Sequence, residues 1–199
     1  MDTVFKLISR EPVCMFNIRF KRFIVFTLCI STMILLAINA PSAKADTISK
    51  KNFEILTKSL GFMIGGPSGS AKVAVIYDPN VQSTVSSADK IIELFSPEIK
   101  GPKVTLTAEK IAVTDKDRFE NFEALYLVSG LEQHYNAIFE NASQENIITI
   151  SDNVTCVDAD KCVIAIRTEP NVDIFYSSNA AKATGTEFAT AFNMMLTKR

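Results

Sequence analysis

The sequence predicts an α/β fold: a three-layer sandwich with a mostly parallel sheet and an antiparallel C-terminal hairpin edge. Three observations predict it. Short apolar runs rich in β-branched residues, at 72–77, 124–128 and 146–150, are each bounded by turn residues. Segments of helical period separate them, which is the βαβ pattern of a parallel sheet. Beyond residue 162 two strand-like runs stand only four residues apart, the spacing of a hairpin.

Taken in order, residues 48–64 read as a helix, because Phe53, Leu56, Leu60 and Ile64 recur at three- and four-residue steps and make one apolar face. Gly65, Gly66 and Pro67 stop it. The continuous apolar run 72–77 suits a strand buried on both faces, and it ends at the turn residues Asp78, Pro79 and Asn80. Residues 83–95 predict a helix with Ala88, Ile91, Ile92 and Phe95 on its inner side, closed by Pro97. Residues 104–113 alternate, as one strand or two short ones, and 115–122 predict a short helix. A buried strand at 124–128 ends at Ser129 and Gly130. The helix at 131–142 turns Leu131, Tyr135, Ile138 and Ala142 inward, and the strand at 146–150 ends at Ser151 and Asp152. Right-handed crossovers place the helices on both faces of such a sheet.

The last third changes style. Residues 162–167 and 172–176 predict the hairpin, turning at Thr168, Glu169, Pro170 and Asn171. Ser177, Ser178 and Asn179 cap a short helix that Gly185 stops. A final helix is read from the stripe Phe188, Ala191, Phe192 and Met195, with Lys198 and Arg199 at its C-terminal end, where the helix dipole favours cations.

The first 45 residues differ from the rest. Arg19, Lys21 and Arg22 precede an uncharged run at 23–40, and an A-x-A site follows before Asp46. A basic region, an apolar region and a small-residue site read as a secretory signal peptide, with Met15 as the more ordinary start. The alternative is an uncleaved inner-membrane anchor at 23–40, since eighteen apolar-biased residues just span a bilayer. Cleavage after Ala45 leaves one domain, 46–199, exported to the periplasm. It also removes six basic and two acidic residues, so 21 and 22 become 15 and 20 and the net charge falls from −1 to −5. No basic stripe exists, which excludes nucleic acid as a partner class. Only Cys156 and Cys162 remain of the four cysteines, and an even pair in an exported chain predicts a disulfide.

The loop from Cys156 to Cys162 encloses Asp158, Asp160 and Lys161. A calcium loop needs a third oxygen ligand, a central glycine and a distant glutamate, and zinc needs about four ligands, so no metal is expected. A catalytic redox pair is normally C-x-x-C at a helix start, whereas five residues intervene here. A structural staple or a strained redox-sensing bond remain as the two readings. His134 is the only histidine, no G-x-S-x-G elbow or phosphate-binding glycine motif occurs, and no nucleophile–base set emerges. The expectation is therefore a protein that is not an enzyme and carries no cofactor.

One constellation stands out. Ligands of open parallel sheets bind outside the carboxyl ends of the strands, near the point where strand order reverses. Asp78, Asn80 and Ser83, then Ser129 and Gly130, then Ser151 and Asp152 occupy three such ends. They are candidates to hold a small polar ligand, or else turn and cap residues of the kind such loops need anyway.

The segment "IITISD" at 147–152, followed after a loop by "CVIAIRTEPNVDIFYSSNAAKATGTEFATAFNMML" at 162–196, resembles the YfiR-like periplasmic proteins over the last third of the chain. Ser151, Asp152, Asn179, Ala180 and Ala181 match that family's order, while its Gly-Gly-Met segment is replaced by the cysteine loop. "KVAVIYDPN" and the helix after it resemble one lobe of periplasmic solute-binding proteins. The first resemblance implies a non-enzymatic periplasmic regulator that binds and restrains a membrane-anchored signalling protein, such as a diguanylate cyclase. The second implies a small-ligand-binding domain related to the solute-binding proteins of ABC transporters. Neither specifies a homo-oligomeric state.

Overall fold

The computed structural model describes residues 48–199. The expected leader, its cleavage point and the alternative anchor at 23–40 lie outside the described residues. Among the described residues no helix is long and apolar enough to cross a membrane.

Eight strands form one sheet in the order β2-β3-β1-β4-β5-β6-β7-β8. An interior strand, β1 (Gly69–Tyr77), pairs in parallel with β3 (Val104–Ala112) along its whole length. On its other side Val73–Ile76 pairs with β4 (Ala124–Leu127), which pairs with β5 (Ile148–Ser151), and β5 with β6 (Ile164–Arg167), all parallel. The continuous apolar run of β1 is what a strand with two neighbours and two covered faces requires: Val73, Ala74, Val75 and Ile76 are all fully buried. Then β7 (Asp173–Tyr176) runs antiparallel to β6, the expected hairpin, turning at the cis Glu169–Pro170 bond.

Helix α1 (Lys50–Gly61) starts at Ser49, whose backbone N–H donates to Asn52 Oδ1 at 3.1 Å. Asn52 is buried, donates to the Ile166 carbonyl at 3.1 Å and accepts from Thr168 Oγ1 at 3.1 Å, which pins the start of α1 to the end of β6. Phe53 meets Phe95 at 4.7 Å and Tyr126 at 5.2 Å between ring centroids, so α1 shares a face of the sheet with α2 (Gln82–Leu94). Right-handed crossovers from β4 and β5 put α3 (Tyr135–Gln144) and α4 (Val154–Asp158) on the opposite face. The result is the three-layer sandwich. Leu131, Tyr135, Ile138 and Ala142 are buried under α3, as their spacing predicts. The segment 115–122 forms a 3-10 turn, Lys116–Asn121, and residues 104–113 give one long strand.

The chain departs from expectation at its end. The predicted last helix is a single turn, α6 (Thr190–Asn193), after the short α5 (Ser178–Ala183). Phe188 and Phe192 are buried, but Met195 is 56% exposed and Ala191 is also exposed. Leu196–Lys198 then forms β8, parallel to β7. Its backbone groups satisfy the otherwise open edge of β7, a tertiary gain that overrides helical spacing. Lys198 therefore lies on an edge strand, with Arg199 just beyond it, and neither sits at a helix end. Two further elements carry no clear sequence signal: β2 (Ile99–Lys100), a two-residue antiparallel edge, and α4 within the cysteine loop.

Candidate functional site at the carboxyl edge of the sheet

The connection leaving β1 turns to one face and the connection leaving β4 to the other. These neighbours therefore flank the point where strand order reverses. The carboxyl ends of β1, β4 and β5 lie side by side there, and these ends, with the loops and first helical turn that follow them, carry all seven residues singled out from the sequence.

After β1, Asp78 is buried and serves its own turn. Asn80 donates to Asp78 Oδ1 from its backbone N–H at 2.9 Å and from its side chain at 3.2 Å. Thr84 Oγ1 donates to the Asp78 carbonyl at 2.8 Å and accepts from the Asp78 N–H at 3.1 Å, fastening the first turn of α2 to the strand. Ser83 is exposed in that turn; Val81, not Ser83, occupies the N-cap position. The other oxygen of Asp78 lies 2.8 Å from His134 Nε2, so one hydrogen bond crosses the reversal point from the β1 loop to the β4 loop. The Asn80 backbone N–H first, and His134 second, hold the Asp78 carboxyl below the usual carboxylate range. His134 is thus a latch between loops, a role its single-sequence context hides because the partner is far away in the chain.

After β4, Gly130 has φ +97°, and a Cβ there would stand 3.2 Å from Thr84 Cγ2. Only glycine lets this loop approach α2 so closely. Ser129 is exposed, and its hydroxyl donates to Asp152 Oδ1 at 3.2 Å, joining the ends of β4 and β5. Ser151 is fully buried: its hydroxyl donates to the Leu127 carbonyl at 2.8 Å and accepts from the Asn153 N–H at 3.0 Å. Asn153 caps α4 by accepting from the Thr155 N–H at 3.0 Å, and its amide donates to Glu132 Oε1 at 3.0 Å.

Two neighbours completing this edge were not among the sequence candidates. Glu132 opens the 3-10 turn Glu132–His134 that precedes α3, and Tyr135 begins α3 itself. The Tyr135 hydroxyl is buried, with the Thr155 side chain as its polar neighbour. Its pKa is pushed up to about 12, by burial first and then by the Glu132 charge, with the Thr155 side chain opposing the rise and Asp152 adding to it. Extending the strand-end rule one turn into the following helix would have found Glu132. Tyr135 reads as an ordinary inner-face residue, and nothing in its spacing marks it. On the other flank of Asp152 a hollow of about 10 Å³, room for about one water molecule, is lined by Asn52, Arg167, Thr168 and Glu169 among others.

The cysteine loop adjoins this edge from the α4 side. Cys156 and Cys162 are bonded and both fully buried, with Cα atoms 5.2 Å apart. Between them Asp160 has φ +57°, and its carboxylate accepts from Ser177 Oγ and, at 2.9 Å, from Asn179 Nδ2. Those two bonds hold its pKa below the usual range. Asn179 thereby ties the loop to the end of the hairpin. No group of three metal-ligating side chains occurs among the described residues.

The central parallel strands, ordered β3-β1-β4-β5-β6 with helices on both faces, define a three-layer α/β fold. No protein-family model matches the sequence, and no curated protein matches it, so the YfiR-like resemblance of the last third has no counterpart in those comparisons. Solved structures match in fold. A conserved domain protein from Vibrio cholerae O1 biovar El Tor has a TM-score of 0.55 at 12% identity, over 75% of this chain and 59% of that one. A substrate binding protein with adhesive properties from Clostridium difficile, in its ligand-free open form, has 0.54 at 13% identity, over 77% and 61%. The ABC domain in complex with L-Trp from Streptococcus pneumonia has 0.52 at 7%, over 75% and 59%. This chain therefore spans about three fifths of the length of the structures it matches.

Proposed function

We propose that this chain is an exported, non-enzymatic domain that binds a small polar ligand at the carboxyl edge of its sheet, above β4 and β5. The observation that carries the reading is the convergence of Ser129, Glu132 and Asp152 from two adjacent strand ends beside the strand-order reversal. The solute-binding-like fold supports it at the level of architecture. A buried disulfide suits an oxidising compartment. Among the described residues His134 hydrogen-bonds to Gln133 and Asp78, and neither is a nucleophilic hydroxyl or thiol, which favours binding over catalysis. Thermal shift across a panel of small cationic, neutral and anionic metabolites tests the proposal. A ligand present at a hundred times its Kd adds about 2.7 kcal/mol of stability. That shift is expected to vanish in Asp152→Ala and to weaken in Ser129→Ala; a panel without any stabilising compound overturns the reading.

The regulator reading draws on a different surface. Phe62, Ile64, Met194 and Met195 are exposed by 37%, 61%, 79% and 56%. Backbone bonds from Ile64 to Glu187 and from Ala189 to Phe62, both 2.9 Å, bring their segments together. Such a cluster suits a protein partner. Capture of a membrane-anchored signalling protein, lost in the double variant Met194→Glu/Met195→Glu, is the expected result; equal capture by that variant removes this reading.

A further inference from the structure

A second concave surface shares no residue with the carboxyl-edge site. β2 ends the sheet, pairing through Ile99 and Lys100 with Leu106 and Thr105 of β3, and among the described strands nothing pairs with its outer edge. A groove of about 460 Å³ opens between β2 and α1. One wall is a single stripe of the helix, Lys50, Glu54 and Lys58; the other is the segment 97–102 that contains β2. The two walls are fixed against each other. A Cβ on Gly101 would stand 2.3 Å from Thr57 Cγ2 of α1, so only glycine allows this approach. The Gly101 N–H also donates to the Val104 carbonyl at 2.9 Å, which sets the turn between β2 and β3. Pro97 and Pro102 bracket β2 and limit the open edge to two residues.

The charges along the groove are ordered and unspent. Lys50, Glu54 and Lys58 are exposed, and none of them makes an ion pair or a side-chain hydrogen bond among the described residues. On the facing wall, Lys100 and Glu98 neutralise each other at 3.1 Å. The helix therefore presents a strip reading positive, negative, positive, in steps of about 6 Å, the rise of four helical residues. Alternate side chains of an extended strand point the same way and stand about 6.6 Å apart. The two spacings nearly coincide, so an extended chain can match the strip charge for charge.

We propose that this groove binds an extended peptide segment of a partner protein, with acidic, basic and acidic side chains at alternate positions. The segment adds to the outer edge of β2 by backbone hydrogen bonds, and its three charged side chains meet Lys50, Glu54 and Lys58. This is strand addition, in which the main chain supplies affinity and alternate side chains supply specificity. A uniformly acidic segment fits less well, because its middle carboxylate would face Glu54.

Fluorescence anisotropy with the full chain and labelled peptides, capped at both ends and held at low ionic strength, tests the proposal. The probe is Glu-Thr-Lys-Thr-Glu. Its permutation Lys-Thr-Glu-Thr-Glu keeps the composition and net charge but sets two of three charges against like charges in either direction of docking. The permuted peptide is expected to bind about fivefold or more weakly, the scale of two exposed pairs turned repulsive. Glu54→Lys is expected to reverse the preference towards Glu-Thr-Glu-Thr-Glu, and Lys182→Gln, outside the groove, to leave binding unchanged. Two further probes carry N-methyl groups on alternate backbone amides, one set on each edge of the strand. One of them should lose binding and the other keep it. Equal binding of the probe and its permutation overturns the charge register, as does an unchanged preference in Glu54→Lys. Equal binding of both methylated probes overturns strand addition, and no binding of the probe overturns the proposal as a whole. None of these outcomes bears on the metabolite panel, so the carboxyl-edge reading is judged separately.

Discussion

Asp78 shows how a turn residue acquires a larger role through one distant contact. Its carboxylate accepts from the Asn80 N–H and faces His134, and both hold its pKa below the usual range. Because the folded-state pKa is depressed, the stability it contributes is present above the ordinary carboxylate pKa and is lost as pH falls through the lower, folded value. Asp78→Asn is therefore expected to be less stable than wild type at neutral pH, with the gap closing below about pH 4; urea denaturation across pH 2–7 measures it. A gap that widens in acid contradicts the assignment. Gly130 makes a second case at this scale. Its φ of +97° and the 3.2 Å approach of Thr84 Cγ2 leave no place for a Cβ. Gly130→Ala should cost about 1–3 kcal/mol, the usual scale for a residue held in a sparsely populated backbone region, read as a lower midpoint in the same denaturation experiment. Both residues were legible as strand-end residues, because polar and glycine residues after an apolar run announce a turn. What they touch was not, since His134 and Thr84 are brought to them only by the three-dimensional arrangement of the loops.

Among the elements, α3 was the most legible and β8 the least, for one physical reason. The inner face of α3 is built from its own periodic residues, Tyr135, Ile138 and Ala142, with Leu131 buried just ahead of the 3-10 turn that leads into it. The three residues of β8 become a strand only because β7 offers an unpaired edge, a contact that local pattern does not encode. Removing residues 194–199 should uncover β7 and weaken the cover over Phe175, whose ring lies 4.8 Å from the Arg199 guanidinium. The expected result is a chain that stays folded but self-associates through the exposed edge, visible as concentration-dependent mass in light scattering. The cysteine loop belongs to this scale as well. Its disulfide closes seven residues, for which chain entropy gives about 2.4 kcal/mol. The double variant Cys156→Ser/Cys162→Ser should lose that much or more, since both side chains are fully buried. The staple reading then predicts an unchanged ligand affinity once the protein is folded, whereas a sensor would change affinity with redox state.

Over the whole molecule, the alternation of apolar runs and amphipathic segments was enough to define a parallel three-layer sheet. The carboxyl-end rule led to the edge where the proposed ligand site lies. The rule named Ser129 and Asp152 but missed Glu132 and Tyr135, because an acid in a helix's first turn and a tyrosine on its inner face are what any such helix displays. Stability should be graded from the buried interior strands to the exposed edge. Val73–Ile76 of β1 have a hydrogen-bonded neighbour on each side and are fully buried, whereas β8 pairs only with β7 and is largely exposed. Native-state hydrogen exchange should find the slowest strand amides in β1 and the fastest in β8. Similar rates in both would mean that the sheet opens only as one unit.

The position of β1 also dictates a sequence of events during synthesis. It is the first strand of the described sheet to be made, yet both of its partners, β3 and β4, are translated after it. Until residue 127 has emerged, this strand, with its fully buried run Val73–Ile76, has at least one open edge. A nascent chain stalled before that point should be recognised by chaperones that bind extended apolar segments, and one stalled after β5 should be released from them.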